Sequence, residues 1–146
     1  MSIDKTKKSQ LPRALRNCNP LNIRLGSNWK GMKKEQTDKA FCQFESMAYG
    51  WRAALILIRN YITGYNSSRR KYDSIAAIIS RWAPECENAT QAYIRTVSEA
   101  TGIHYLERIQ WSDRKKVCAI AQAMGKVESG VQFDIEPILA AYDLIA

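Results

Sequence analysis

Histidine is almost missing: His104 is the single one in 146 residues. A His-rich metal site is excluded, and any Ser-His or Cys-His nucleophile would depend on that one imidazole. No metal ligand set and no cofactor motif is expected. The four cysteines, Cys18, Cys42, Cys86 and Cys118, stand 24, 44 and 32 residues apart without a C-x-x-C pair. They read as free, partly buried thiols and not as a disulfide framework. Long apolar runs are lacking too. The longest, Ala53 to Ile58, is far short of the roughly 20 residues that cross a bilayer, so no membrane span is expected. The opening stretch MSIDKTKKSQLPRALRN is basic but carries no apolar run, so no secretory signal is read there.

Acidic residues are scarce in the first half. Residues 1–72 hold 15 basic and 4 acidic side chains, against 7 and 10 in residues 73–146, within a net charge of +8. An anionic partner is the first expectation. At 46% hydrophobic and 25% charged, the composition is that of one folded domain with a real core.

Residues 1–12, polar, basic and ending in Pro12, read as a flexible arm ahead of a single domain over 13–146. Pro20, Gly26 and Gly31 break up the next stretch, and β-prone pieces at 22–25 and 40–44 predict a small hairpin-like lobe. Helical periodicity takes over from Met47. Trp51, Ala54, Leu55, Ile58 and Ile62 mark a core helix ending at Gly64. Asp73 or Ser74 caps a second helix that Pro84 closes. Asn88, with Gln91 three residues on, predicts a capping box for a third helix running to Gly102. Ser112 and Asp113 open a fourth, ending near Gly130, and a fifth starts around Ile135 to Pro137. The expected class is mainly α with a small N-terminal β lobe.

Glu128 is the most informative carboxylate. The apolar stripe Val117, Ile120, Ala121, Met124 continues to position 128, and the residue lies in the last helical turn before a glycine. An apolar face and a helix C-terminus both raise a carboxyl pKa, as a general acid needs. The alternative is a frayed helix with Glu128 solvated beside Lys126. Glu35, Asp38 and Glu45 are candidates for a second carboxylate, which glycoside hydrolysis by two acids would need; each reads equally as an ordinary surface charge. Arg24, Trp29, Lys30, Lys33 and Lys34 interleave bases with an aromatic, a pattern suited to nucleic acid or to an anionic glycan. No base-reading motif accompanies them, which makes nucleic acid the weaker partner. Trp29, flanked by glycines, has the best claim among the four tryptophans to line a groove.

The segments RNCNPLNIRLGSNWKG, AFCQFESMAYGWRAALILIRNY and ISRWAPECENATQAYIRTVSEATGI together resemble a family of small phage and prophage proteins. That family carries an NNPGNIR-like motif and is described as a virion structural protein associated with cell-wall entry. The resemblance runs from about Arg16 to Gly130. Cys18 and Leu21 stand where the pattern has asparagine and glycine, and leucine lacks the left-handed freedom glycine gives a turn.

A more distant resemblance is to lytic transglycosylases and lysozyme-like glucosaminidases. NPLNIR and NWKG look like their β-lobe segment, PECENATQAYIRTV like their tyrosine element, and VESG like the piece bearing the catalytic glutamate. The order differs, since the glutamate comes last, and this implies a circularly permuted lysozyme-like domain. The resemblance implies Glu128 as general acid, Tyr93 beside it, and Asn22 and Arg24 in contact with glycan strands of peptidoglycan. It also implies delivery to the wall or assembly with other virion proteins after cytoplasmic synthesis. The alternative is a non-catalytic virion or wall-binding protein that keeps the fold.

Overall fold

The structure, a computed structural model, describes residues 11–84 and 86–145. Apart from Leu11 and Pro12, the basic arm expected over 1–12 lies outside the described residues. Six helices account for about half of the described residues: α1 (Arg13–Arg16), α2 (Met47–Thr63), α3 (Ile75–Trp82), α4 (Glu87–Thr101), α5 (Arg114–Ser129) and α6 (Ile135–Ile145). The mainly helical class is therefore what the chain adopts.

α2 is the central element. Trp51, Ala53, Ala54, Leu55, Ile58 and Ile62 are buried on it, and it packs against α6, α5 and α3. Left-handed Gly64, Gly102 and Gly130 end α2, α4 and α5, each closing its helix with a backbone hydrogen bond. Trp51 meets Phe133 edge to face at 5.1 Å, over the spot where Gly125 leaves α5 without a side chain.

Two expectations need correction. The third long helix does not start at Asn88: its N-cap is Cys86, and no side-chain cap bond is made. Pro84 stops α3, the Thr90 hydroxyl donates to the Ala83 carbonyl, and Thr90 N–H bonds Cys86 O. The chain thus winds into α4 two residues early and leaves Asn88 exposed on the first turn. Ser74 does cap α3, accepting from Ala77 N–H at 3.1 Å.

The N-terminal lobe is not a β-hairpin. Among the described residues it has only two isolated antiparallel bridges, Arg24 with Phe41 and Met32 with Phe44. The first joins the two β-prone pieces, with Leu25 N–H donating to Ala40 O at 3.0 Å and Cys42 N–H to Ile23 O at 2.9 Å, but side chains supply much of the bonding that would extend it into a ladder. Asn19, fully buried, donates to Ile23 O and Cys42 O and accepts from Ile23 N–H, all at 2.9–3.0 Å. Gln36 does the same for Lys33 O, Gln43 O and Gln43 N–H. The tight turn that Leu21 put in question still forms, with Asn22 N–H on Asn19 O at 3.1 Å. The positive φ falls on Cys18 (50°) and Asn22 (51°) instead, and Leu21 fills the core.

The lobe is pressed onto α2 at Gly50. A Cβ there would land on the Cys18 carbonyl oxygen and come 2.8 Å from Pro20 Cδ. Glycine inside a helix costs up to about 1 kcal/mol relative to alanine, so only a close backbone approach explains it. Gly50→Ala should lower stability by about 2–3 kcal/mol despite its better helix propensity. Urea unfolding followed by circular dichroism measures this, and a stabilised variant would contradict the contact.

Candidate functional site

A cleft of about 580 Å³ opens between the lobe and the helices. Asn22, Arg24 and Trp29 line it from the lobe, Trp82 from the end of α3, Tyr93 from α4 and Glu128 from the end of α5. The four residues singled out in sequence beside Glu128 thus share one cavity with it, although up to 106 positions separate them in the chain.

Glu128 is half-buried in the last turn of α5, as the continuing apolar stripe requires. Its Oε2 accepts from Tyr93 Oη at 3.0 Å and from Trp82 Nε1 at 3.3 Å. Asn22 Nδ2 donates to the Glu128 backbone carbonyl at 3.2 Å, satisfying a helix-end oxygen from across the cleft. Oε1 has no hydrogen bond to a described residue, and Glu128 lines the cavity, so Oε1 is the oxygen left for a ligand there.

Burial raises the Glu128 pKa above the ordinary carboxyl value, and the hydrogen bonds that Tyr93 and Trp82 donate to Oε2 pull it partly back. Burial likewise pushes the Tyr93 hydroxyl well above the phenol range, helped by the neighbouring Glu128 charge. Tyr93 therefore stays a donor, so a proton on Glu128 belongs on Oε1. A carboxylic acid with one oxygen fixed and the other presented to a cavity can give and retake a proton there.

The acids proposed as partners lie elsewhere. Glu128 is the lone carboxylate among the described residues that line the cleft. Asp38 is turned away and held by Arg13 through two bonds, of 2.6 and 2.5 Å, which keeps its pKa far below the carboxylate range. Glu35 and Glu45 are exposed outside the cleft. No group of three or more His, Cys, Asp and Glu side chains suited to a metal is found among the described residues.

Trp82 is the residue that the sequence pattern passed over in favour of Trp29. A signal was present: a tryptophan in the last helical position before Pro84 is held at an element end, where its indole N–H can reach another element. Two buried polar atoms of cleft-lining side chains have no partner among the described residues, the acceptor Asn22 Oδ1 and the donor Trp29 Nε1.

A raised carboxyl pKa in the folded state makes folding take up a proton. The stability it contributes is complete below the unfolded value and is lost as pH rises through the folded one. Glu128→Gln cannot ionise and should escape this loss. Its melting temperature should exceed the wild type's by a few degrees near pH 8, with the gap closing toward about pH 4. A gap that is constant with pH would contradict a burial-raised Glu128.

The chain matches no protein-family model. It is 37% identical over 129 residues to Protein P5 of Pseudoalteromonas phage PM2, an alignment covering 86% of this chain and 76% of that protein. No described helix is long and apolar enough to cross a membrane. At that identity and coverage, the chain belongs to the phage protein family represented by P5 of phage PM2.

Proposed function

We propose that the protein is a peptidoglycan-cleaving glycosidase of lytic transglycosylase type, a permuted lysozyme-like domain with Glu128 as its acid and base. The observation that carries this reading is the half-buried, cleft-lining carboxyl with Oε2 tied to Tyr93 and Trp82, and no second acid among the described residues that line the cleft. Two-carboxylate hydrolysis needs a partner across the sugar, and no described residue lining this cavity supplies one. Transglycosylation needs one. Protonated Glu128 gives its proton to the glycosidic oxygen as the C–O bond breaks, through an oxocarbenium-like transition state. The resulting carboxylate then takes the proton from the sugar's own 6-hydroxyl as that oxygen bonds to the anomeric carbon. The product is a 1,6-anhydro end, and Glu128 returns to its acid form.

Other features agree with an N-acetylated sugar. The unpartnered acceptor of Asn22 and donor of Trp29 match, in kind, the N–H and C=O of an acetamido group. Arg24 adds positive charge on the same wall. Membership in a phage family fits a wall-opening task, with delivery to the wall in a virion or at lysis and other virion proteins as partners.

Digestion of purified sacculi with wild type and Glu128→Gln, followed by mass analysis of the muropeptides, tests the proposal. Wild type should release anhydro-muramoyl ends, the variant at least about 100-fold fewer, and the wild-type rate should fall as pH rises through the raised Glu128 pKa. Reducing ends would assign hydrolysis instead. Equal release by both proteins would remove Glu128 from the chemistry. Binding without release by the wild type would leave a non-catalytic wall-binding protein.

A further inference from the structure

The lobe carries a second depression, of about 650 Å³, outside the cleft. Arg13, Arg16, Lys33 and Lys39 line it against a single carboxylate, Asp38. That carboxylate is fully engaged. Besides Arg13 it accepts from Asn17 Nδ2 at 3.0 Å and from the backbone N–H groups of Ala40 and Phe41 at 2.8 and 3.0 Å. Arg16, Lys33 and Lys39 therefore have no carboxylate within ion-pair distance among the described residues. Three uncompensated cations around a concavity attract anions and repel one another.

The depression is separated from the cleft by one aromatic ring. Phe41 lines the cleft, and its ring carries both the Arg13 guanidinium at 4.5 Å and the cleft residue Arg24 at 5.1 Å. A strand whose sugars occupy the cleft would hold its side groups next to this partition.

We propose that the basic depression binds the peptide-stem carboxylates of the peptidoglycan strand whose sugars occupy the cleft, with Arg16, Lys33 and Lys39 as the anion-binding side chains. The assignment rests on the glycosidase reading for the identity of the strand. Side groups fixed at regular intervals along a glycan explain why the charges gather in one hollow beside the cleft. A nucleic acid's phosphates call instead for cations strung along a groove.

The test uses soluble glycan oligomers, with their peptide stems intact or removed by an amidase, titrated into the protein while tryptophan fluorescence is read. Trp29 and Trp82 line the cleft and provide the signal. All proteins carry Glu128→Gln to prevent cleavage. Arg16→Ser, Lys33→Ser and Lys39→Ser combined should weaken binding of stem-bearing oligomers about ten-fold, the summed scale of three exposed charge contacts. Binding of stem-free oligomers should be unchanged. The charge-keeping set Arg16→Lys, Lys33→Arg and Lys39→Arg should retain the stem preference. An equal loss on both oligomers, no loss on either, no binding at all, or a loss seen only with duplex DNA would each overturn the assignment. Stem-dependent binding by a protein that releases no muropeptides would uphold the depression and reject the glycosidase.

Discussion

A lobe that forms no sheet must still satisfy its backbone N–H and C=O groups, and the whole cleft depends on how it does so. Asn19 and Gln36 each act as a miniature strand, offering an acceptor and a two-pronged donor to two chain segments at once. Asp38 closes the same lobe by gathering the Arg13 guanidinium, Asn17 and two backbone amides. Being short and polar, these side chains fix a compact irregular wall, which Gly50 allows to lie directly on α2. Only from that position does Asn22 reach the end of α5.

At that end, two opposing effects meet on one carboxyl group. Burial favours the neutral acid, while Tyr93 and Trp82 favour the ion, and burial prevails. Both donors lie on the same oxygen, so the group is oriented without being consumed. Each donor is itself fixed by an ordinary structural device: Pro84 halts α3 at Trp82, and Tyr93 lies on the buried face of α4.

Most of the helical body could be read from the sequence because it depends on local signals. Periodic apolar residues, Ser74 as a cap, and glycines after α2, α4 and α5 all act within one turn of where they stand. The start of α4 was misread because the Thr90 bond to Ala83, a contact back across the connection, outweighed a good local capping pair. The lobe was misread for the opposite reason. Its β-prone pieces do pair at Arg24 and Phe41, but the pairing goes no further, and Asn19 and Gln36, whose reach over the chain no alternation pattern records, supply much of the rest. Glu128 was legible through its stripe, and Tyr93, Asn22, Arg24 and Trp29 through a resemblance. Trp82 was not, since nothing local distinguishes an indole that bonds an acid from one that fills a core. Whether Asp38 faces the cleft is a matter of which partner it finds, and Arg13, 25 residues away, settled that.

The bond between the Asn22 amide and the Glu128 carbonyl joins residues 106 positions apart. Contacts of such separation carry the largest loop-closure entropy and tend to form late in folding. The helices can assemble around α2 while the lobe and the acid are still apart. An incompletely folded chain therefore has no cleft, and Glu128 meets its wall only when the molecule is finished, so the order of assembly sets when the site exists.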